Sequence, residues 1–176
     1  MKRFSAKGSA RSLPALDRCF PAALAAVFFL SFFAPPAQAL AQTITARVKK
    51  VVDGDTVVIE GGRKVRYIGI DTPERDEPFF TEARERNISL VLGKLVSLVV
   101  CEAEPRDKFG RLLAFVYADG LFVNRALVEE GLARRLIIPP CGLPVATELK
   151  LLEQGAKEMG LGLWRPSGGK THGQRP

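Results

Sequence analysis

Between Val51 and Glu74 the chain reads VVDGDTVVIEGGRKVRYIGIDTPE. Of its charged residues, the carboxylates Asp55, Asp71 and Glu74 and the strand-borne arginine Arg66 stand out, and another arginine follows at Arg111 in the run DKFGR. Two aspartates helped by backbone carbonyls and water suit a hard cation such as Ca2+. Guanidinium forks suit phosphate oxygens, and grip them harder as charge builds up on phosphorus. There is no thiolate–imidazole set for zinc, and the single histidine, His172, stands near the C-terminus. A histidine acid–base mechanism is therefore disfavoured. The base that remains is a carboxylate, Glu74, in a loop stiffened by Pro73. DGDT, DTPE and DKFGR are each ordinary turn sequences when met alone. All three in order, around one hairpin and at the head of a later strand, point to phosphodiester hydrolysis.

The elements that must position these groups read as follows. Strands are predicted over 44–52 and 56–60, joined by the Asp53-Gly54 turn, and over 63–70, 94–100 and 111–118. Gly61-Gly62 predicts a two-residue hairpin turn, in which Glu60 faces Arg63, Val57 faces Arg66 and Asp55 faces Ile68. Asp55 and Arg66 then become diagonal neighbours about 7–8 Å apart on one face. A helix is expected over 79–92, with Phe79, Phe80, Ala83, Ile88, Val91 and Leu92 on its apolar side. Asn87-Ile88-Ser89 matches a glycosylation acceptor, but its place inside a helix makes it a chance match. A short helix over 122–131 ends at Gly131. Residues 132–138 are extended, and Pro139-Pro140 breaks them. Val145, Leu149, Leu152, Ala156 and Met159 then mark one face of a last helix, and Trp164 is expected to pack against the barrel. Three strands, a helix, two strands and C-terminal helices describe an α+β, mainly β fold: a five-stranded Greek-key barrel of the OB type with about three helices.

Length bounds this to one domain with a leader and a tail. The formal net charge is +7, yet residues 1–41 carry five Lys/Arg against Asp17 alone. Beyond them 21 of the 26 basic and 18 of the 19 acidic residues remain, a net of +3, so attraction for a polyanion must come from a local patch. Residues 1–41 read as an export signal: a basic start, the apolar run Phe20 to Ala34, and small residues fitting cleavage after Ala39 or Ala41. An uncleaved anchor is the alternative, although the apolar run is shorter than the ~20 residues of a spanning helix. Loss of the leader removes Cys19 and leaves Cys101 and Cys141, an even pair for an oxidising compartment, with two separate thiols as the alternative. Residues 167–176 are Gly-rich and polar, and read as a disordered tail after a domain over 42–166.

Through VDGDTV, VRYIGIDTPE, DKFGRLLAFVYADG, VNRALVEEGLA and the terminal GLW, the chain resembles the staphylococcal-nuclease-like (thermonuclease) family from about Thr43 to Arg165. The resemblance implies an OB-fold enzyme that cleaves DNA and RNA with Ca2+ and leaves 3′-phosphates. It implies metal ligation by Asp55, Asp71 and the Thr72 carbonyl, with Asp53 supporting the loop. Glu74 would activate water, while Arg66 and Arg111 would bind and stabilise the phosphate. Lys108, Phe109, Arg134 and Arg135 are the expected further substrate contacts. In the implied fold the Cys101 and Cys141 connections lie side by side at one rim, so a disulfide is expected. No protein partner is implied, and a monomer is expected. Three departures stand out: Phe109 where a Tyr is usual, a short loop after Glu74, and RRLIIP (134–139) where base-stacking tyrosines occur. The rival reading is a non-catalytic OB-type module that binds nucleic acid or protein; the full set of Asp55, Arg66, Asp71, Glu74 and Arg111 argues against it.

Overall fold

The computed structural model describes residues 42–166; the leader and the tail lie outside the described residues. Eight strands and three α-helices follow in order: β1 (Thr43–Val51), β2 (Thr56–Ile59), β3 (Lys64–Tyr67), β4 (Ile70–Asp71), α1 (Phe80–Val91), β5 (Leu95–Val100), β6 (Leu112–Ala118), β7 (Leu121–Phe122), α2 (Val123–Glu129), β8 (Arg134–Arg135) and α3 (Ala146–Glu158). The main sheet runs β3-β2-β1-β5-β6-β7, and a further pairing of β3 with β6 closes five of its strands into a barrel. The closing seam is parallel, with Val65, Arg66 and Tyr67 opposite Leu112, Leu113 and Ala114; the other pairings are antiparallel. This is the mixed five-stranded barrel with three helices of an OB-type α+β fold.

Alternation explains why these residues close a barrel. Along β6, Leu112, Ala114, Val116 and Ala118 are buried while the residues between them are half-exposed, the period-2 pattern of a sheet with one face on a core. Val48, Val57, Ile59, Val65, Val96 and Leu98 fill the interior. The helices cover it through Val91, Leu127 and Leu149, each fully buried.

Four sequence expectations are corrected here. The first hairpin turns through three residues, Glu60–Gly62, with Gly61 and Gly62 in the left-handed region (φ 79° and 75°). The register therefore slips by one: Arg66 faces Thr56, and the Tyr67 N–H donates to the Asp55 carbonyl at 2.9 Å. The third strand does not run on to Ile70 either. It breaks at Ile68-Gly69 (Gly69 φ 83°), which frees Ile70–Asp71 to pair with Arg134–Arg135 as a separate ribbon. On α1 the buried positions are Ala83, Asn87, Leu90 and Val91, an i, i+4, i+7, i+8 stripe, whereas Leu92 lies past the helix and is exposed. On α3 the buried face includes Leu149, Glu153 and Ala156, and Met159 is exposed.

The last segment is fixed by a backbone crossing. Leu163 N–H donates to the Gly131 carbonyl at 2.9 Å. A Cβ on Gly131 would lie 2.4 Å from the Leu161 carbonyl oxygen, and one on Gly162 would lie 2.3 Å from the Gly131 oxygen. Both residues have positive φ (71° and 48°), so only glycine fits this contact. Cys101, just after β5, and Cys141 are joined by a disulfide with Cα atoms 5.6 Å apart.

Candidate active site

The centre is built on the turn before β2. Asp53 accepts the Asp55 N–H on its Oδ1 at 3.0 Å, closing an Asx-type turn. Gly54 passes so close to Thr72 that an added Cβ would lie 2.7 Å from the Thr72 side chain. The Asp-Gly-Asp turn thereby packs directly on the loop after β4. Asp55 is 1% exposed, and both of its oxygens are engaged. Oδ2 accepts from Thr72 N–H (2.8 Å) and Thr72 Oγ1 (3.0 Å), while Oδ1 accepts from Thr56 Oγ1 (3.1 Å) and from Arg66 Nη1. The other arm of Arg66 donates to Asp71 Oδ1 (2.8 Å) and to the Ile70 carbonyl (3.2 Å). One guanidinium thus lies between two carboxylates. Asp55 and Arg66, expected as neighbours on one face, form an ion pair despite the changed register, because Asp55 precedes β2 and its turn, not the ladder, aims its side chain.

Arg111 is set by its own turn. Asp107 Oδ1 accepts the N–H groups of Phe109 and Arg111, both at 2.9 Å, and Asp107 Oδ2 accepts from Arg111 Nε at 2.6 Å. Partial burial pushes the Asp107 carboxyl up, but these donors together outweigh it and hold the group below its usual range. Burial pushes the Asp53 carboxyl up, and the Thr56 bonds with the Arg66 and Arg111 charges only partly offset it. Phe109 is 71% exposed, with Lys108 Nζ 5.1 Å and the Arg111 guanidinium 5.4 Å from its ring centre. Arg66, Arg111, Lys108 and Phe109 line one cleft of about 370 Å³, whose apolar wall includes Ile68, Leu136 and Ile138.

Of the residues singled out in the sequence, Asp55, Arg66, Asp71 and Thr72 come together, and Arg66 joins them to Arg111, Lys108 and Phe109 through the cleft. Glu74 stands apart: it is exposed, and among the described residues its carboxylate has no hydrogen-bond or ion-pair partner. Its backbone is nevertheless held, since Glu74 N–H donates to Glu77 Oε2 (2.9 Å) and Glu77 N–H donates to the Glu74 carbonyl (2.8 Å). Arg134 and Arg135 are outside the cleft, on β8, opposite Asp71 and Ile70. Trp164 is half-buried, with Lys157 of α3 and Arg134 over its ring.

Sequence reasoning missed Asn87. It is fully buried, accepts from the Tyr67 hydroxyl (3.0 Å) and donates to the Asp53 carbonyl (3.0 Å), so α1 holds the turn that aims Asp55. Burial raises the Tyr67 hydroxyl well above its usual range, which keeps it a donor. Asn124, also missed, accepts from Val116 N–H (3.0 Å) and donates to the Ile68 carbonyl (2.8 Å), bracing the break after β3. A polar residue at an apolar helical position was the available signal in Asn87.

Asp55 and Asp71 are fit to hold a hard cation: two carboxylates already converge on one positive centre, and the Thr72 backbone lies against them. Among the described residues no three His, Cys, Asp or Glu side chains cluster as a ready metal site. A cation here would rest on two carboxylates with carbonyl and water oxygens, a set suited to Ca2+ or Mg2+ and not to zinc.

A family profile described as "Staphylococcal nuclease homologue" matches residues 64–166. The chain is 37% identical over 138 residues to endonuclease YncB of Bacillus subtilis, covering 73% of this chain and 65% of that protein. It is 35% identical over 136 residues to the SPbeta prophage-derived endonuclease YokF of the same organism, covering 72% and 46%. With the thermonuclease of Staphylococcus intermedius the identity is 37% over 102 residues, covering 53% and 60%. The matched stretch thus spans less than two thirds of each of these relatives.

Proposed function

Because this chain belongs to the family of staphylococcal nuclease homologues, we propose that it is a nuclease, a hydrolase that cuts phosphodiester bonds in DNA and RNA with Ca2+ and leaves 3′-phosphates. The observation that carries this reading is the joint placement of Asp55 and Asp71 on Arg66, with Arg66 and Arg111 lining one cleft. Asp55, Asp71 and the Thr72 carbonyl would hold the cation, which supplies charge neutralisation at the phosphate. Arg111, pre-aimed by Asp107, grips two phosphate oxygens as a fork, and Arg66 adds a second grip when it leaves the carboxylates. Glu74, whose oxygens have no donor among the described residues, takes a proton from the attacking water. As the new P–O bond forms on one side of phosphorus, the bond to the 5′ oxygen breaks on the other. The leaving 5′ oxygen takes a proton from solvent water, so the products are a 3′-phosphate and a 5′-hydroxyl. Phe109 and Lys108 border the strand at the cleft mouth, and Arg134 and Arg135 meet it beyond Asp71.

Export, with removal of residues 1–41, belongs to the same proposal and is supported by the sequence of that segment and by the disulfide. The protein would act as a monomer outside the cytoplasm. Digestion of single-stranded DNA, duplex DNA and RNA with Ca2+, Mg2+ or a chelator tests the activity. Cleavage with Ca2+ that vanishes in chelator is expected; undiminished cleavage in excess chelator, or none in any condition, would overturn it.

A further inference from the structure

Phe109 carries Lys108 and Arg111 over its ring at the mouth of the cleft, and Trp164 repeats the arrangement elsewhere. Lys157 Nζ lies 4.3 Å and the Arg134 guanidinium 5.9 Å from the indole centre. Trp164 Nε1 is buried without an acceptor among the described residues. A buried indole usually finds one, so here the ring, not the N–H, is what the neighbours use. Arg134 is exposed and, among the described residues, has no carboxylate partner; Lys157 shares its charge with Glu153 at 2.7 Å. One step on, Arg165 lies 5.8 Å from the ring of Phe79, which leads into α1 with φ 69°. Two carboxylates stand against Arg134, Lys157 and Arg165: Glu153, paired with Lys157, and Asp71, opposite Arg134.

Its position gives it meaning. Arg134 is paired directly opposite Asp71, and opposed residues share a face with Cβ atoms about 4.5–5.5 Å apart. Two residues further along, Leu136 forms part of the cleft wall. The order Phe109 with its two cations, then Arg66 and Asp71, then Arg134 and Trp164 makes two aromatic pedestals joined through the carboxylate centre. Nucleic acid presents a phosphate every few ångströms, and cations held in place by a ring lose less freedom on binding it.

We infer that Trp164 is a pedestal which holds Arg134 and Lys157 as a second phosphate grip, taking the part of a single-stranded nucleic acid that extends out of the cleft past Asp71. The inference rests on the nuclease reading and adds a subsite to it. A strand long enough to reach both pedestals gains from the second; a trinucleotide seated in the cleft does not.

The test is binding, by fluorescence anisotropy, of the purified full chain to a single-stranded DNA 20-mer and to a trinucleotide, in chelator and over a range of salt. Each phosphate contact on a single strand contributes a slope of about 0.7 in log K against log salt. R134Q combined with K157Q should lower the 20-mer slope by about 1.4 and shrink the ratio of trinucleotide Kd to 20-mer Kd. W164L should give a smaller loss of the same kind and W164F should restore it, with thermal melts confirming that each variant is folded. The inference is overturned if the two ligands weaken by the same factor, if the 20-mer slope is unchanged, or if polyglutamate competes with the 20-mer as well as poly-dT does. An unchanged slope in a chain that still cuts DNA with Ca2+ sinks the second grip alone. A chain that neither binds the 20-mer nor cuts sinks the nuclease reading with it.

Discussion

Arg66 already holds Oδ1 of both Asp55 and Asp71, so a cation held by those carboxylates would meet its positive charge there. Removing the guanidinium removes a competing positive charge, so Arg66→Gln should bind Ca2+ more tightly by calorimetric titration while cutting substrate more slowly. Looser Ca2+ binding in that variant would show that Arg66 organises the carboxylates and does not compete for them. Glu74→Gln should keep most of the affinity for nucleic acid and slow cleavage by roughly 10²–10⁴, the usual worth of a general base; near-normal turnover would remove Glu74 from the mechanism. Asp107 makes a pH prediction. Its folded pKa lies below the ordinary value of 3.8, so its bonds to Arg111 stabilise the fold fully above that value. That contribution is lost as pH falls through the lower, folded value. Asp107→Asn should therefore flatten the acid limb of a stability–pH curve below about pH 4, and an unchanged limb would rule this out. At this scale the sequence was informative about residue type. It could not reveal that Arg66 lies between the carboxylates, because that geometry comes from Asp55 preceding its strand.

Among the elements, the hairpin shows where local reading stops. Gly61-Gly62 permits a turn of two residues or of three, and the choice moves every cross-strand partner by one. The strands themselves favour three: Val57, Ile59, Val65 and Tyr67 share the buried face only when Val57 stands opposite Val65, whereas a two-residue turn would put Val65 on the other face from Val57 and Ile59. The β4–β8 ribbon was illegible for a different reason: two residues carry no periodicity, and Arg134-Arg135 reads as surface in any linear pattern. Asn87 was read only as a chance glycosylation match, although it joins α1 to the Asp53 turn. Asn87→Ala should cost about 1–3 kcal/mol, the penalty for leaving the Tyr67 hydroxyl and Asp53 carbonyl buried without their partner; a change below half a kcal/mol by chemical denaturation would show that water replaces it. Gly131→Ala should also destabilise, by about 1–2 kcal/mol from the left-handed backbone alone, with the clash against Leu161 added. An unshifted melting temperature would mean that the terminal segment can give way.

For the whole molecule, the disulfide closes a loop with a sequence separation of 40, which chain entropy values at about 4 kcal/mol. It also ties the segment leading to the Arg111 turn to the wall carrying Ile138, since Cys141 itself borders the cleft. Reduction should lower stability by roughly that amount and raise KM for long substrates; a reduced protein with unaltered melting and KM would deny the bond either role. The largest consequence lies in the parallel seam. Arg66 is on β3, and Arg111 immediately precedes β6, the strand that β3 meets only when the barrel closes. Before that closure the chain has its hairpin and its aspartates but no place where both arginines can hold one phosphate. Any hydrolytic power is then all-or-none, arriving with that strand pairing, and a chain threaded unfolded through a pore would pass nucleic acid without harming it.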